Sequence, residues 1–243
     1  DPRDLHSFPT RRSSDLNAFL ESEVRRRTGE VLAVQEVTIL GLASLAETRD
    51  NDTGNHLRRT QRYVHELAKY LKDQGHYPDQ LDNAFLDMVF KSAPLHDIGK
   101  VGIPDAILLK PGKLDPDEFE IMKRHSRLGF EALENAERML GKSVAFLDTA
   151  KMITLSHHEK WDGSGYPDRR AGTDIPLCAR IMAVADVYDA LISKRVYKDE
   201  LKADRAAAII REGSGTHFDP VIVEAFEALE SRFREIAVEY ADL

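Results

Sequence analysis

Apolar residues recur three and four positions apart along most of the chain from Asn17 onward. This spacing places them on one side of an α-helix, whereas a half-buried β-strand would require apolar and polar residues to alternate. No alternating pattern persists along the sequence. The hydrophobic pattern therefore predicts an all-α fold.

The pattern divides into predicted helices separated by proline, glycine and other turn-forming residues. A long helix is expected from about Glu21 to Thr48, and its charged first half is typical of a solvated connector. Pro116 fits the first turn of the helix that carries His125. The loop from Trp161 to Pro167 is too rich in glycine to stay helical. The remaining predicted helices span about 53–72, 81–95, 143–157 and 177–194, with two more before the C-terminus.

The first sixteen residues, Asp1–Leu16, lack the apolar period of the rest of the chain. The run SFPTRRSSDL at positions 7–16 looks like a translated sequencing adapter, so we exclude residues 1–16 from the fold prediction as non-native. Residues 17–48 are then predicted to be a connector helix and residues 49–243 a single helical domain. Because Val24, Val31 and Leu42 could line a coiled-coil seam, a homodimer is an option, although the heptads are irregular.

The formal net charge is −8 and the sequence pI is about 5.6. Such a chain has no sequence-wide basic surface for a phosphate backbone, so nucleic acid is not an expected partner. A single cysteine, Cys178, excludes an internal disulfide and suits a reducing compartment. The longest apolar run, Ile39–Ala46, is far shorter than the roughly 20 residues of a membrane-spanning helix. We therefore expect a soluble cytoplasmic protein without a membrane partner.

Five of the nine histidines fall in a pattern that suits metal binding. His96 and Asp97 stand side by side at the end of an apolar helix. A neutral imidazole offers one nitrogen and a carboxylate offers two oxygens, so Asp97 can span two cations while His96 binds one. A helix cap on a buried helix is the alternative, but it does not explain why Lys100 lies so close.

Asp52 and the remaining histidines of this pattern can each be explained without a metal when taken alone. Asp52 and His56 lie one turn apart and could reach a common metal, yet a capping Asp and an exposed His would look the same. His125 alone would be read as a core histidine. The doublet His157 and His158 changes this view, because two adjacent rings are hard to bury without donors or a metal.

Asp186 lies in an almost wholly apolar predicted helix. A buried carboxylate is costly, so the charge requires a metal, a proton, or a partner such as Arg180 or a backbone amide. The mixed nitrogen and oxygen ligand set suits Fe, Mn or Zn better than Ca or Mg. Two such cations could hold a bridging hydroxide and a phosphoryl oxygen, and Lys100 could neutralise growing charge. These residues favour hydrolysis of a phosphodiester.

Four blocks, in order, resemble the HD-GYP family of bacterial metal-dependent phosphohydrolases. They are DTGNHLRR from Asp52, LHDIGKVGIPDAILLKPGKL from Leu95, HHEKWDGSGYP from His157 and ARIMAVADVYDAL from Ala179. The resemblance covers about Leu40 to Pro220. It implies an HD-type helical bundle over residues 49–243, hydrolysis of cyclic di-GMP, and two divalent metals, with iron or manganese the commoner occupants.

The resemblance also implies roles for individual residues. Asp97 would bridge the metals, Lys100 would assist at the scissile phosphate and Tyr166 would border the substrate. Arg195 and Lys198 would contact the substrate phosphates, although from the residues alone both are read as solvated helix-end charges. The implied metal ligands are His56, His96, Asp97, His125, His157, His158 and Asp186.

Asp52 departs from the family pattern. Members with three metals usually carry glutamate four residues before the first histidine, so the resemblance leaves a third metal at Asp52 uncertain. The product, linear pGpG or GMP, is open for the same reason. Connector helices of this kind often follow a receiver domain in response regulators, and we expect such a domain upstream, with a sensor domain as the alternative.

Two other functions remain open at this point. One is a non-hydrolytic module that senses a cyclic dinucleotide or docks on a GGDEF-domain protein through the loop containing Tyr166. The other is hydrolysis of a different cyclic dinucleotide, because the shape of the pocket decides the substrate and the sequence does not display it.

Overall fold

The computed structural model describes residues 10–48, 54–193 and 201–241, with side chains described from residue 15 onward. The described residues contain ten α-helices and no β-strand, which confirms the prediction of an all-α fold. The helices are α1 Thr10–Glu47, α2 Gly54–Asp73, α3 Asn83–Ser92, α4 Asp105–Leu108, α5 Pro116–Leu140, α6 Ala145–Ser156, α7 Leu177–Ile192, α8 Ala203–Glu212, α9 Pro220–Ala228 and α10 Glu230–Glu239. Short 3-10 helices lie at Ala93–Leu95, Ile98–Gly102 and Gly172–Asp174.

Helix α1 begins earlier than the sequence pattern predicted. It starts at Thr10, inside the segment that was excluded as adapter-like. The sequence has neither proline nor glycine between residues 10 and 28, so nothing in the chain stops the helix from extending backwards. A helical conformation there leaves the proposed non-native origin of residues 1–16 a prediction.

The C-terminal part contains three helices where two were expected. Helices α9 and α10 are separated only at Leu229, whose backbone leaves the helical region. The apolar period runs across this single residue, which is why the pattern alone did not reveal the break. Helix α4 is a single short turn that the pattern also did not predict.

The described residues fall into two compact units, which divide between Gly41 and Leu42. Val24, Val31 and Leu42, predicted to line a coiled-coil seam, are exposed. Over Asp15–Glu47, α1 is long and apolar enough to cross a membrane by length and composition alone, a test that signal sequences and buried core helices also pass. The connector boundary at residue 48 and the absence of a membrane span stay predictions.

Helix α7 forms the centre of the second unit. Twelve of its sixteen residues are buried, because nearly all of them are apolar and α2, α6, α8 and α9 pack around it. An aromatic cluster closes one end, where Tyr63 stacks on Phe233 with ring centroids 4.3 Å apart and meets Tyr188 edge-on. The central position of α7 brings its two aspartates, Asp186 and Asp189, inside the bundle.

Helix α5 begins and ends at strong sequence signals. Asp115 accepts a hydrogen bond from the backbone N–H of Glu118 while the Glu118 side chain accepts one from the backbone N–H of Asp115, and Pro116 occupies the first turn as predicted. Gly141 ends the helix with φ +73°, a conformation that glycine adopts without a steric penalty. These fixed ends hold His125 at a defined height in the bundle.

Candidate metal centre

Two groups of histidines and aspartates lie inside the second unit. In each group the potential ligand atoms all lie within 4.8 Å of one another. The first cluster consists of Asp97, His125, His157 and His158, and the second cluster consists of His56, His96 and Asp186. Five separate parts of the chain contribute to these clusters, namely α2, the turn after α3, α5, the end of α6, and α7.

A close backbone contact sets the distance between the His96–Asp97 turn and α5. A Cβ atom added to Gly99 would lie 1.9 Å from the carbonyl oxygen of His125, and one added to Gly129 would lie 2.4 Å from the Thr154 side chain. Only glycine allows this approach at both positions. The contact brings Asp97 within reach of His125.

Asp97 connects the two clusters through its two carboxylate oxygens. Its Oδ1 atom lies 3.2 Å from Nε2 of His125 and 3.5 Å from Nε2 of His157. Its Oδ2 atom lies 3.4 Å from Nε2 of His96 and 2.8 Å from the Nζ atom of Lys100. The carboxylate is therefore placed to contact a cation in either cluster.

Four of the histidines share one arrangement of their ring nitrogens. In each, Nδ1 lies at hydrogen-bond distance from an oxygen, and an oxygen acceptor requires Nδ1 to carry the hydrogen. When such a ring is neutral, Nε2 has a lone pair that faces the clusters, as in most histidines that bind metals. The Nδ1 partners are Asp189 for His56 (2.8 Å), the Ala93 carbonyl for His96 (3.0 Å), the Met122 carbonyl for His125 (2.8 Å) and the Ile153 carbonyl for His157 (3.0 Å).

Two buried atoms of the first cluster test whether a metal fits. Oδ1 of Asp97 and Nε2 of His157 are buried and have no hydrogen-bond partner among the described residues. Buried polar atoms are rarely left without a partner, and two acceptors facing each other cannot satisfy one another. A cation between them would satisfy both, so the residues of the first cluster fit a metal ion.

The protonation states of the first cluster also suit a cation. Burial lowers the pKa of His157, and burial together with the neighbouring His157 and His125 holds the pKa of His158 well below its usual range. Burial alone would raise the pKa of Asp97, but Lys100, His96 and the other neighbouring histidines hold it well below the ordinary value. At neutral pH these neutral imidazoles and the charged carboxylate are ready to act as ligands.

The second cluster is more loosely arranged. Nε2 of His56 lies 3.5 Å from Nε2 of His96 and 3.8 Å from Oδ1 of Asp186, and His96 lies 3.9 Å from the same Asp186 oxygen. Arg180, an alternative partner for Asp186 in the sequence analysis, instead donates to Asp219 and to the Ile175 carbonyl. A metal therefore remains an explanation for the Asp186 charge.

The sequence analysis missed a carboxylate that supports His56. Asp189 is completely buried and accepts hydrogen bonds from Arg59 at 2.7 and 2.9 Å as well as from His56. Burial lowers the pKa of His56, but Asp189, Glu47 and Asp186 outweigh this effect and raise it to about 9. The signal for Asp189 was present, because it lies one turn after Asp186 in the same apolar helix.

Glu47 was also missed. Its side chain is buried at the end of α1, and its Oε1 atom lies 3.8 Å from Nε2 of His56. A glutamate at the end of a predicted connector helix carried no sign of burial. Asp52, Arg195 and Lys198, predicted to bind metal or phosphate, lie outside the described residues.

Tyr166, predicted to border the substrate, forms one wall of the centre. Its ring stacks on His158 with centroids 4.7 Å apart. The loop that carries Tyr166 is held from the inside by Glu159, whose carboxylate accepts the backbone N–H groups of Asp168 at 2.7 Å and Arg170 at 3.1 Å. Tyr166 is therefore fixed beside the first cluster.

A helical bundle with two His/Asp clusters joined by one aspartate and bordered by a lysine has the features of a metal-dependent phosphohydrolase. Residues 42–222 match the HD domain family. The chain belongs to that family. Its relatives also confirm the resemblance to the HD-GYP group.

Two relatives and one solved structure, all from Vibrio cholerae, illustrate this similarity. A "Probable cyclic di-GMP phosphodiesterase" is 55% identical over 96% of this chain and 54% of its own length. A "3'3'-cGAMP-specific phosphodiesterase 2" is 43% identical over 76% of this chain and 33% of its own length. The crystal structure of the cyclic GMP-AMP phosphodiesterase V-cGAP3 covers 86% of this chain and 53% of that one, with a TM-score of 0.58 and 20% identity. The chain thus spans about half the length, or less, of the relatives it matches.

Proposed function

We propose that this domain hydrolyses cyclic di-GMP to pGpG, GMP or both in bacterial second-messenger signalling. The observation that carries the proposal is the position of Asp97, with one oxygen toward His125 and His157 and the other toward His96 and Lys100. A relative 55% identical to the chain is named for the same reaction. This combination of ligands and positive charge around one phosphate suits hydrolysis of a phosphodiester.

Two divalent metals are proposed, with iron or manganese the expected ions. Asp97, His125, His157 and His158 would hold one, while His56, His96 and Asp186 would hold the other, with Asp97 shared between them. Metals in such a site activate water at neutral pH and neutralise charge on phosphoryl oxygens. A third metal at Asp52 is part of the proposal to be tested by counting bound metal.

Lys100 and Tyr166 would act directly on the substrate. The Lys100 ammonium, 2.8 Å from Asp97, would stabilise negative charge that develops on the phosphate or on the leaving oxygen. Tyr166 would form a wall against which the nucleotide lies. Arg195 and Lys198 are proposed to contact the substrate phosphates.

The first experiment is anaerobic loading of the protein with Fe(II) or Mn(II), followed by metal counting and chromatography of cyclic di-GMP reactions. We expect at least two metals per chain and formation of pGpG or GMP. His96→Ala and Asp97→Ala should reduce turnover at least 100-fold while the helical circular dichroism is retained. His76→Ala, a histidine outside both clusters, is the matched control. Normal turnover in both cluster variants would contradict the proposal.

A second candidate substrate is 3'3'-cGAMP. It is favoured by the relative 43% identical to this chain whose name gives that specificity. The metal chemistry would be the same, because both substrates are cyclic dinucleotides joined by phosphodiesters. Competition between the two nucleotides in one reaction gives the ratio of their kcat/KM values and decides between them.

Other aspects of the protein's context are also proposed. A non-hydrolytic sensing module, or one that docks on a GGDEF-domain protein, would bind the nucleotide tightly without product in metal-loaded protein. We also propose an upstream receiver domain and a cytoplasmic location, which the buried single cysteine suits. The exposed valines of α1 favour a homodimer, testable by sedimentation.

A further inference from the structure

A large cleft opens beside Tyr166. Its volume is about 660 Å³, within the range of roughly 300–1,000 Å³ that is typical of ligand sites. Helix α5 forms one side and the loop at 163–167 forms the other. Because Tyr166 lines this cleft and also stacks on His158, the cleft is continuous with the wall of the first cluster. We call it the basic cleft.

The basic cleft concentrates positive charge in an acidic protein. Its lining has one carboxylate, Glu120, and five cationic side chains, Lys123, Arg124, Arg127, Lys160 and Arg169, although the chain as a whole carries a net charge of −8. Lys123 contacts Glu120, and Arg127 contacts Asp168. The remaining cations still give the cleft a strong preference for an anionic ligand.

Two aromatic rings in the cleft suit a flat, uncharged ligand group. The ring of Phe119 is 45% exposed and meets Tyr166 edge-on at 6.2 Å. The Lys123 ammonium lies 5.1 Å from the centroid of Phe119 and 5.7 Å from that of Tyr166. An exposed aromatic face beside cations is the arrangement that binds single-stranded nucleotides, by base stacking and phosphate contacts.

We infer that the basic cleft binds the half of the cyclic dinucleotide that is not being cleaved. In this arrangement one phosphate lies at the metal centre, Arg124 and Lys160 contact the second phosphate, and a base stacks on Phe119. The inference rests on the proposed function, because a cyclic dinucleotide is the ligand with two phosphates and two bases. It identifies a source of substrate affinity in residues separate from Arg195 and Lys198.

The test compares cyclic di-GMP with bis(4-nitrophenyl) phosphate, a small phosphodiester that can reach the metal centre without filling the cleft. The metal-loaded protein is measured as wild type, as Arg124→Gln with Lys160→Gln, and as Phe119→Ala. Arg138→Gln is the matched control, an exposed arginine on the same helix outside the cleft. The readout is the ratio of the KM for cyclic di-GMP to the KM for the small diester.

Loss of charge-assisted contacts should raise this ratio about tenfold or more in the double variant. Loss of base stacking should raise it about tenfold in Phe119→Ala. The ratio in Arg138→Gln should match the wild type. Ratios in the cleft variants that equal the control would overturn the inference.

A binding measurement separates failure of this inference from failure of the proposed function. Equilibrium dialysis of cyclic di-GMP is repeated with each cleft substitution in an Asp97→Ala background, where turnover is not required. If the wild type hydrolyses only the small diester, the proposed hydrolysis fails. Weaker binding of cyclic di-GMP by the cleft variants still supports the inference that the cleft binds the nucleotide. Unchanged binding overturns that inference. A wild-type protein that binds no cyclic di-GMP overturns both.

Discussion

The carboxylate of Asp189 accepts a hydrogen bond from Nδ1 of His56, with 2.8 Å between the two heavy atoms. Asp189 also balances the charge of Arg59, which donates to both of its oxygens. One buried carboxylate therefore orients a candidate metal ligand and pairs a buried arginine. Its removal should affect both metal binding and stability.

Asp189→Asn should weaken metal binding at the second cluster by about 10- to 100-fold, because the asparagine cannot hold His56 in the same way. It should also destabilise the metal-free protein by about 3 kcal/mol or more, since Arg59 loses its buried counter-charge. Metal titration and urea unfolding measure the two effects. Ser193→Ala removes a neutral partner of the same carboxylate and should cost only about 1 kcal/mol. An Asp189→Asn variant with wild-type metal affinity would contradict this role.

Lys100→Met should lower kcat by at least about 100-fold while metal content stays close to that of the wild type. The reason is that the ammonium stabilises charge in the transition state but is not a ligand. Quenched-reaction assays measure kcat, and metal counting on the same preparation measures the metal content. Lys110→Gln, on a lysine that pairs with Glu118, is the control and should keep full activity. An equal loss of kcat in both variants would contradict a specific role of Lys100 at the phosphate.

Gly99→Ala should destabilise the domain by about 3 kcal/mol or more, because the new methyl group would overlap the His125 carbonyl. Thermal unfolding monitored by circular dichroism measures the change in stability. Gly41→Ala introduces the same methyl group where nothing lies within 4 Å, inside α1, and should stabilise that helix by up to about 1 kcal/mol. The expectation fails if the two substitutions shift the melting temperature equally.

His217 should make the domain sensitive to acid. Burial lowers the pKa of its ring to about 4, so the native state holds the ring neutral while the unfolded chain protonates it near pH 6.5. Stability should therefore fall as the pH drops from 6.5 to 4, by at most about 3 kcal/mol and by less because the ring is partly exposed. Urea unfolding of wild type and His217→Gln across this range isolates the contribution, since other groups titrate in both proteins. Parallel curves of unfolding free energy against pH for the two proteins would contradict a contribution from His217.

Local sequence patterns predicted most of the helices, and all seven residues of the two clusters had been named as candidate metal ligands. His96 with Asp97, and His157 with His158, were recognisable because adjacent polar residues at the ends of apolar helices require a partner. The pairing of Asp189 with Arg59 was not predictable, since Arg59 lies 130 positions earlier in the chain. The break at Leu229 was missed because apolar spacing continues through it. The burial of Glu47 depends on packing between helices, which the spacing of apolar residues along one helix does not reveal.

Glu159 holds the loop at 163–167 through the backbone N–H groups of Asp168 and Arg170. Every residue except proline has such a group, so this attachment places little demand on the side chains of the loop. Gly163 has φ +80°, and a Cβ atom at Gly165 would lie 2.3 Å from the backbone nitrogen of Lys160, so these two positions require glycine. The other side chains of the loop can change while the loop keeps its shape and the ligand clusters stay intact. New nucleotide preferences can thus evolve in small steps, each of which starts from a folded and metal-competent protein.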